Sequence, residues 1–125
     1  MPAGRIKQLL SESDTSKRLL SFLMEENVHL KNRLSEILKN DFNASLLPRL
    51  ENYQNSFVHT DTTVTLLRNE VAGFEKLLSI AAHEKGYADK NLEDQLKLVR
   101  HHIIVAEASF RSLQSSFDHY LSKNL

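Results

Sequence analysis

Apolar residues recur at alternating spacings of three and four along three stretches of the chain. The first runs Leu20, Leu23, Asn27, Leu30, Leu34, Ile37, with Asn27 as its one polar member. The second runs Leu50, Tyr53, Phe57, Thr60, Val64, Leu67, Val71, Phe74, Leu78, Ala81, with Thr60 as its one polar member. The third runs Leu92, Leu96, Val99, Ile103, Ala106, Phe110, Leu113, Phe117, Tyr120 and is apolar or aromatic throughout. This spacing puts every member on one stripe of an α-helix, and over several heptads it marks the a and d positions of a coiled-coil-like seam. Strand-like alternation never persists comparably.

The punctuation between the stretches agrees. Asn40-Asp41-Phe42-Asn43-Ala44-Ser45 reads as a turn, with Ser45 or a neighbour as cap and Pro48 in the first turn of the next helix, where a missing N–H costs little. Gly86 suits a left-handed C-cap, and Asp89 begins the third helix. The β-branched run Val58 to Thr65 is the weakest helical stretch. The seam keeps its phase across it, so a continuous helix is expected.

The seams also predict how the helices pair. In antiparallel helices joined by a short loop, facing residues have numbers with a constant sum. Leu20 with Leu67, Leu23 with Val64, Asn27 with Thr60, Leu30 with Phe57, Leu34 with Tyr53 and Ile37 with Leu50 all sum to 87. That register places Asn27 and Thr60 opposite each other as a polar layer. Carried backwards, it sets Ile6 against Ala81 and Leu9 against Leu78, so the first helix begins near Gly4. The second and third helices pair with a sum of 170, or of 177 after a one-heptad slip. The expected fold is all-α, an up-down-up antiparallel three-helix bundle forming a single domain over 1–125. Its helices span about 5–40, 46–84 and 90–122. In architecture this resembles a spectrin-type repeat, without the Trp positions usual in that family.

Composition supports the picture and removes several chemistries. Leu, Ile, Val and Phe make up 38 of 125 residues, too many for a disordered chain. The absence of Cys excludes thiolate metal sites and Cys nucleophiles. Sixteen basic and 16 acidic residues cancel, so no global field attracts nucleic acid. No apolar run approaches a membrane span, and Met1-Pro2-Ala3-Gly4-Arg5 lacks the apolar core of a signal peptide. A cytoplasmic protein without membrane or nucleic-acid partner is expected.

No catalytic, cofactor-binding or metal residues are assigned. A carboxylate-bridged di-metal bundle needs two Glu-x-x-His motifs aimed inward. Only Glu26-Asn27-Val28-His29 matches, and neither Glu26 nor His29 is on the seam. His59 and His119 fall at c and His101 at f, so only His102, at g, flanks a core. Lys97, Arg100, His101, His102 and Arg111 span several faces and read as solvated surface. Leu20 to Leu38 resembles a leucine zipper with Asn27 at an a position. The upstream Ser11 to Arg18 lacks the basic run of a DNA-binding zipper. Ala82-His83-Glu84-Lys85-Gly86 resembles the His-x-x-Lys-Gly pattern of histidine phosphotransfer domains, one residue short, and implies a signalling role for His83.

The expected function is that of a non-enzymatic bundle acting through protein–protein contacts or self-assembly. The alternatives are a phosphotransfer module using His83, and a small-molecule or lipid binder whose cavity sequence does not reveal. The e and g flanks of the second and third helices are mostly polar, so the intramolecular core is slim. Phe22, Val28, Val58, Leu66, Ile104 and Val105 are apolar yet off the seams. They predict a second contact surface and a homodimer.

Overall fold

The computed structural model describes residues 2–40 and 42–125; Asp41, placed by sequence in the first turn, lies outside the described residues. Three helices, α1 (Pro2–Lys39), α2 (Leu47–Glu84) and α3 (Lys90–Asn124), make up nearly all of it, and the 3-10 turn Ala44–Leu46 leads into α2. Every pair of helices is in contact, giving an up-down-up three-helix bundle. At 1.5 Å per residue each helix is about 50–60 Å long.

The ends follow local chemistry. Asn43, rather than Ser45, is the cap of the first connection: its side chain accepts from the Ser45 N–H at 3.0 Å. Pro48 sits in the first turn of α2. At the other end, the Lys85 and Gly86 N–H groups both donate to the Ala81 carbonyl, and Gly86 takes a φ of 74°, which lacks a Cβ penalty only in glycine. Asp89 caps α3 by accepting from the Leu92 N–H at 3.0 Å. The β-branched run inside α2 is continuous helix. Its threonines are accommodated by bonding back one turn, Thr60 to the Ser56 carbonyl and Thr65 to that of Asp61.

The pairing follows the numerical register. Asn27 meets Asp61, one residue from the predicted opposite. Tyr53 and Phe117 pack with ring centroids 5.1 Å apart and planes tilted by 58°, a pair of the 170 register and not of the slipped one. Two antiparallel pairings make α1 and α3 parallel, and their contacts accordingly keep an offset of 85 to 88 residues: Arg5 to Glu93, Glu26 to Arg111 and Glu26 to Gln114.

The core is one continuous column from Ile6 to Leu121. Most seam residues are buried, and Leu9 and Ser13 extend the α1 seam towards its N-terminus. Burial fails in the middle of the α2–α3 seam. There Thr60, Ala106 and Leu113 are only half covered.

Candidate interaction surface

Those three half-covered residues converge on a groove of about 830 Å³ between α2 and α3. Its floor is Leu23 of α1 with Val64, Leu67 and Phe110; Ser56, Thr60, Thr63, Ala106 and Ser109 form the walls; His59, His101, His102 and Val105 stand at the rim. Along α2 it runs from Asn55 to Leu67, about 18 Å. The cause is side-chain volume. In the 170 register Ala106 faces Val64 and Thr60 faces Phe110, and the flanking positions carry Ser56, Thr63 and Ser109. Side chains this short do not meet across an interhelical distance of 8–10 Å, so the seam opens to its floor.

Charge is distributed unevenly around the bundle. Among the described residues, every Lys or Arg ion pair joining two helices involves α1: Arg5–Glu93, Lys17–Glu75, Lys31–Asp61, Arg100–Glu12 and Arg111–Glu26. The Arg5 guanidinium, by its hydrogen bonds, holds the Glu93 carboxyl below the usual carboxylate range. Asp89 is likewise held low, first by the Leu92 N–H and then by Lys85, which bridges the α2–α3 loop at 2.9 Å. Along the α2–α3 face proper the one contact made by a charged side chain between the two helices, among the described residues, is the hydrogen bond between Glu70 and His102 Nδ1 at 2.7 Å. The outward f, c and g positions of that face, from Asn52 to Gly73 and from Leu98 to His119, hold Asn, Ser, Thr, His, Ala, Gly, Leu and Val, with Glu70 the sole charge. In a chain with 26% charged residues, this is a local depletion. Loss of charge is the compositional mark of interface centres.

The residues singled out by sequence are not all where sequence pairs them. Asn27 is fully buried, but Thr60 is not its partner. Its Nδ2 donates to the Phe57 carbonyl at 2.9 Å and to Asp61 Oδ1 at 2.8 Å, and Lys31 binds the other oxygen of Asp61. Thr60 instead bonds within α2 and lines the groove. The longer carboxylate of Asp61, one position on, reaches where a hydroxyl does not. Within this chain the Asn27 amide thus has partners, with no second zipper strand.

The six apolar residues off the seams are all exposed, between 39 and 63%. They do not form one patch. By heptad position Phe22 and Ile104 flank the α1–α3 seam, Val28 and Val58 the α1–α2 seam, and Leu66 and Val105 the α2–α3 seam. Arg111 of α3 lies over the Phe22 ring at 5.7 Å, and Val105 is at the groove rim, as that division requires.

Glu26 is engaged by Arg111 and Gln114, His102 by Glu70, and His29 is exposed elsewhere on α1. Among the described residues no cluster of three or more His, Asp or Glu is arranged to hold a metal ion, and no helix is long and apolar enough to cross a membrane. His83 is exposed in the last turn of α2, which ends at Glu84. The feature that sequence reading missed is the groove, and its signal was the run of small residues at seam and g positions around Thr60 and Ala106.

Comparison of the chain with known protein families, with curated proteins and with solved structures finds no match.

Proposed function

We propose that this chain is a non-enzymatic interaction protein of the scaffold or adaptor kind, working in the cytoplasm, and that α2–α3 is its working face. The observation that carries the reading is the asymmetry of charge. Ion pairs run from α1 to both other helices, while the α2–α3 face combines an open apolar-floored groove with a near absence of charge. Covering neutral Asn, Ser, Thr and His side chains costs less than covering charges, provided that the partner replaces their hydrogen bonds to water, and the partner gains the apolar floor of the groove.

Thiol labelling tests this, because the chain has no cysteine of its own. Leu66→Cys and Val105→Cys report the α2–α3 face; Val28→Cys, on the α1–α2 side, is the control. In cells that make the protein, a membrane-permeant maleimide is expected to label the two face positions more slowly than the control, with the difference lost in dilute purified protein. Equal labelling in cells would overturn the reading.

One observation favours a second reading, the small-molecule or lipid binder. The groove volume falls within the range of small-molecule sites, and its floor is apolar. An aliphatic ligand seated there would raise the melting temperature of the purified chain in proportion to the logarithm of its concentration.

A further inference from the structure

Resting on the interaction reading above, we infer that the occupant of the α2–α3 face is a second copy of this chain, bound antiparallel about a two-fold axis that crosses the helices near Leu66 and Val105.

Shape is the first support. Read along the bundle, the face has two halves. From Asn55 to Leu67 it is concave, the groove floored by Leu23 and Phe110. Beyond Leu66 it carries exposed apolar side chains, Leu77 and Ile80 on α2 and Leu98 on α3. Concave and apolar-convex halves therefore follow one another along a single axis. A two-fold axis lying in the interface, across the helices, reverses that axis between copies. It turns residues 65–77 of each copy over 55–67 of the other, so Leu66 and Leu77 of one copy meet the two ends of the other's groove and one operation covers both grooves. Isologous contacts of this kind are the commonest in soluble oligomers.

Charge is the second support. A partner recognised through opposite charge needs charge on the receiving face, and between Asn52 and Gly73 and between Leu98 and His119 this face offers only Glu70, already bonded to His102; Lys76 and Asp94 stand beyond that stretch. With the axis near Leu66 none of these three charges meets its own copy, and a molecule of zero net charge has no long-range self-repulsion.

Gly73 is the third. A glycine inside a helix is destabilising, and apart from its chain neighbours and the adjacent backbone of its own helix nothing lies within 4 Å of where its Cβ would be. Packing within the chain therefore does not require it. It lies on the same c stripe as Leu66 and Ile80, where it permits close approach from outside. The area is adequate. The stretch Asn52 to Ile80, symmetric about Leu66, is about 42 Å long, and two adjacent helices are about 20 Å wide, so about 1,700 Å² is buried over both copies, within the range of stable specific interfaces.

The experiment uses the full chain. Sedimentation from low to high micromolar concentration should give a species of twice 14.4 kDa. Because the axis brings Leu66 against its own copy, Leu66→Cys should oxidise to a disulfide-linked dimer while Phe22→Cys, on the α1–α3 side, should not. Leu66→Glu and Val105→Glu each place a carboxylate against itself and should weaken association at least about tenfold, with an unchanged far-ultraviolet spectrum showing that the bundle persists. Wild-type protein that stays at 14.4 kDa throughout overturns the inference, as does a dimer linked through Phe22→Cys and not through Leu66→Cys. Monomeric purified protein whose α2–α3 cysteines are nonetheless protected in cells would overturn the second copy and leave the interaction reading standing with a different partner; loss of both signals would remove both.

Discussion

Replacing Asn27 with Leu is expected to stabilise the bundle, although it deletes the most buried polar network in the molecule. Asn27 is fully enclosed and its Nδ2 donates twice, to the Phe57 carbonyl and to Asp61. Its Oδ1 is buried with no partner. Losing the two donors strands nothing. The Phe57 carbonyl remains inside α2, and Asp61 keeps Lys31 and is partly open to water. The loss is therefore about 1–2 kcal/mol, the ordinary net value of two such bonds when their acceptors are resatisfied. Against this, removing an unsatisfied buried oxygen gains about 1–2 kcal/mol, and an enclosed Leu of similar volume gains about 1.5–2 kcal/mol. The balance is a net gain of about 1–2 kcal/mol. For a chain of this size it raises the melting temperature by about 3–6 °C. Urea denaturation followed by circular dichroism reads the free energy, and an unchanged m-value would show that the unfolding transition is otherwise the same. Asn27→Ala is the companion: it deletes the same bonds without filling the space, and should fall below wild type. Should Asn27→Leu instead cost more than about 1 kcal/mol, the Asn27–Asp61–Lys31 network would be a net source of stability and the accounting above would be wrong.

Three further outcomes are expected. Gly73→Ala should raise the stability of the dilute chain by about 0.5–1 kcal/mol in chemical denaturation, because it removes backbone freedom from the unfolded state and its Cβ meets nothing within 4 Å. Ala106→Leu should fill part of the groove and add about 1 kcal/mol by the same assay, and it should abolish any melting-temperature increase produced by an aliphatic ligand seated there. Stability should decline with acid. The folded-state carboxyls of Asp89 and Glu93 are held below their ordinary values, so their contribution is present above the ordinary carboxylate range and is lost as the pH falls through it towards the folded values; Asp89→Asn with Glu93→Gln should flatten that acid limb in melting curves taken from neutral pH downward.

Helix number, helix boundaries to within a few residues, and the α1–α2 register were legible in the sequence because each depends on periodicity along one chain. A stripe of apolar residues at 3-4 spacing has one way to be buried, and two stripes joined by a short loop have few registers. The placement of Asn27 in the core was legible for the same reason. Its partner was not. Thr60 and Asp61 are adjacent, and which of them meets the amide depends on side-chain reach across the helix pair, a distance of ångströms that a heptad letter does not carry. The groove and the charge asymmetry belong wholly to the tertiary structure. Ser56, Thr63 and Ser109 look like ordinary polar flanks along the sequence, and only the pairing of α2 with α3 sets them beside Thr60 and Ala106 to leave a gap. The six exposed apolar residues likewise looked like one surface in a linear reading and fall on three once the helices are assembled. Periodicity determines which side of a helix faces inward; what two helices leave open between them is decided by the volumes that meet there.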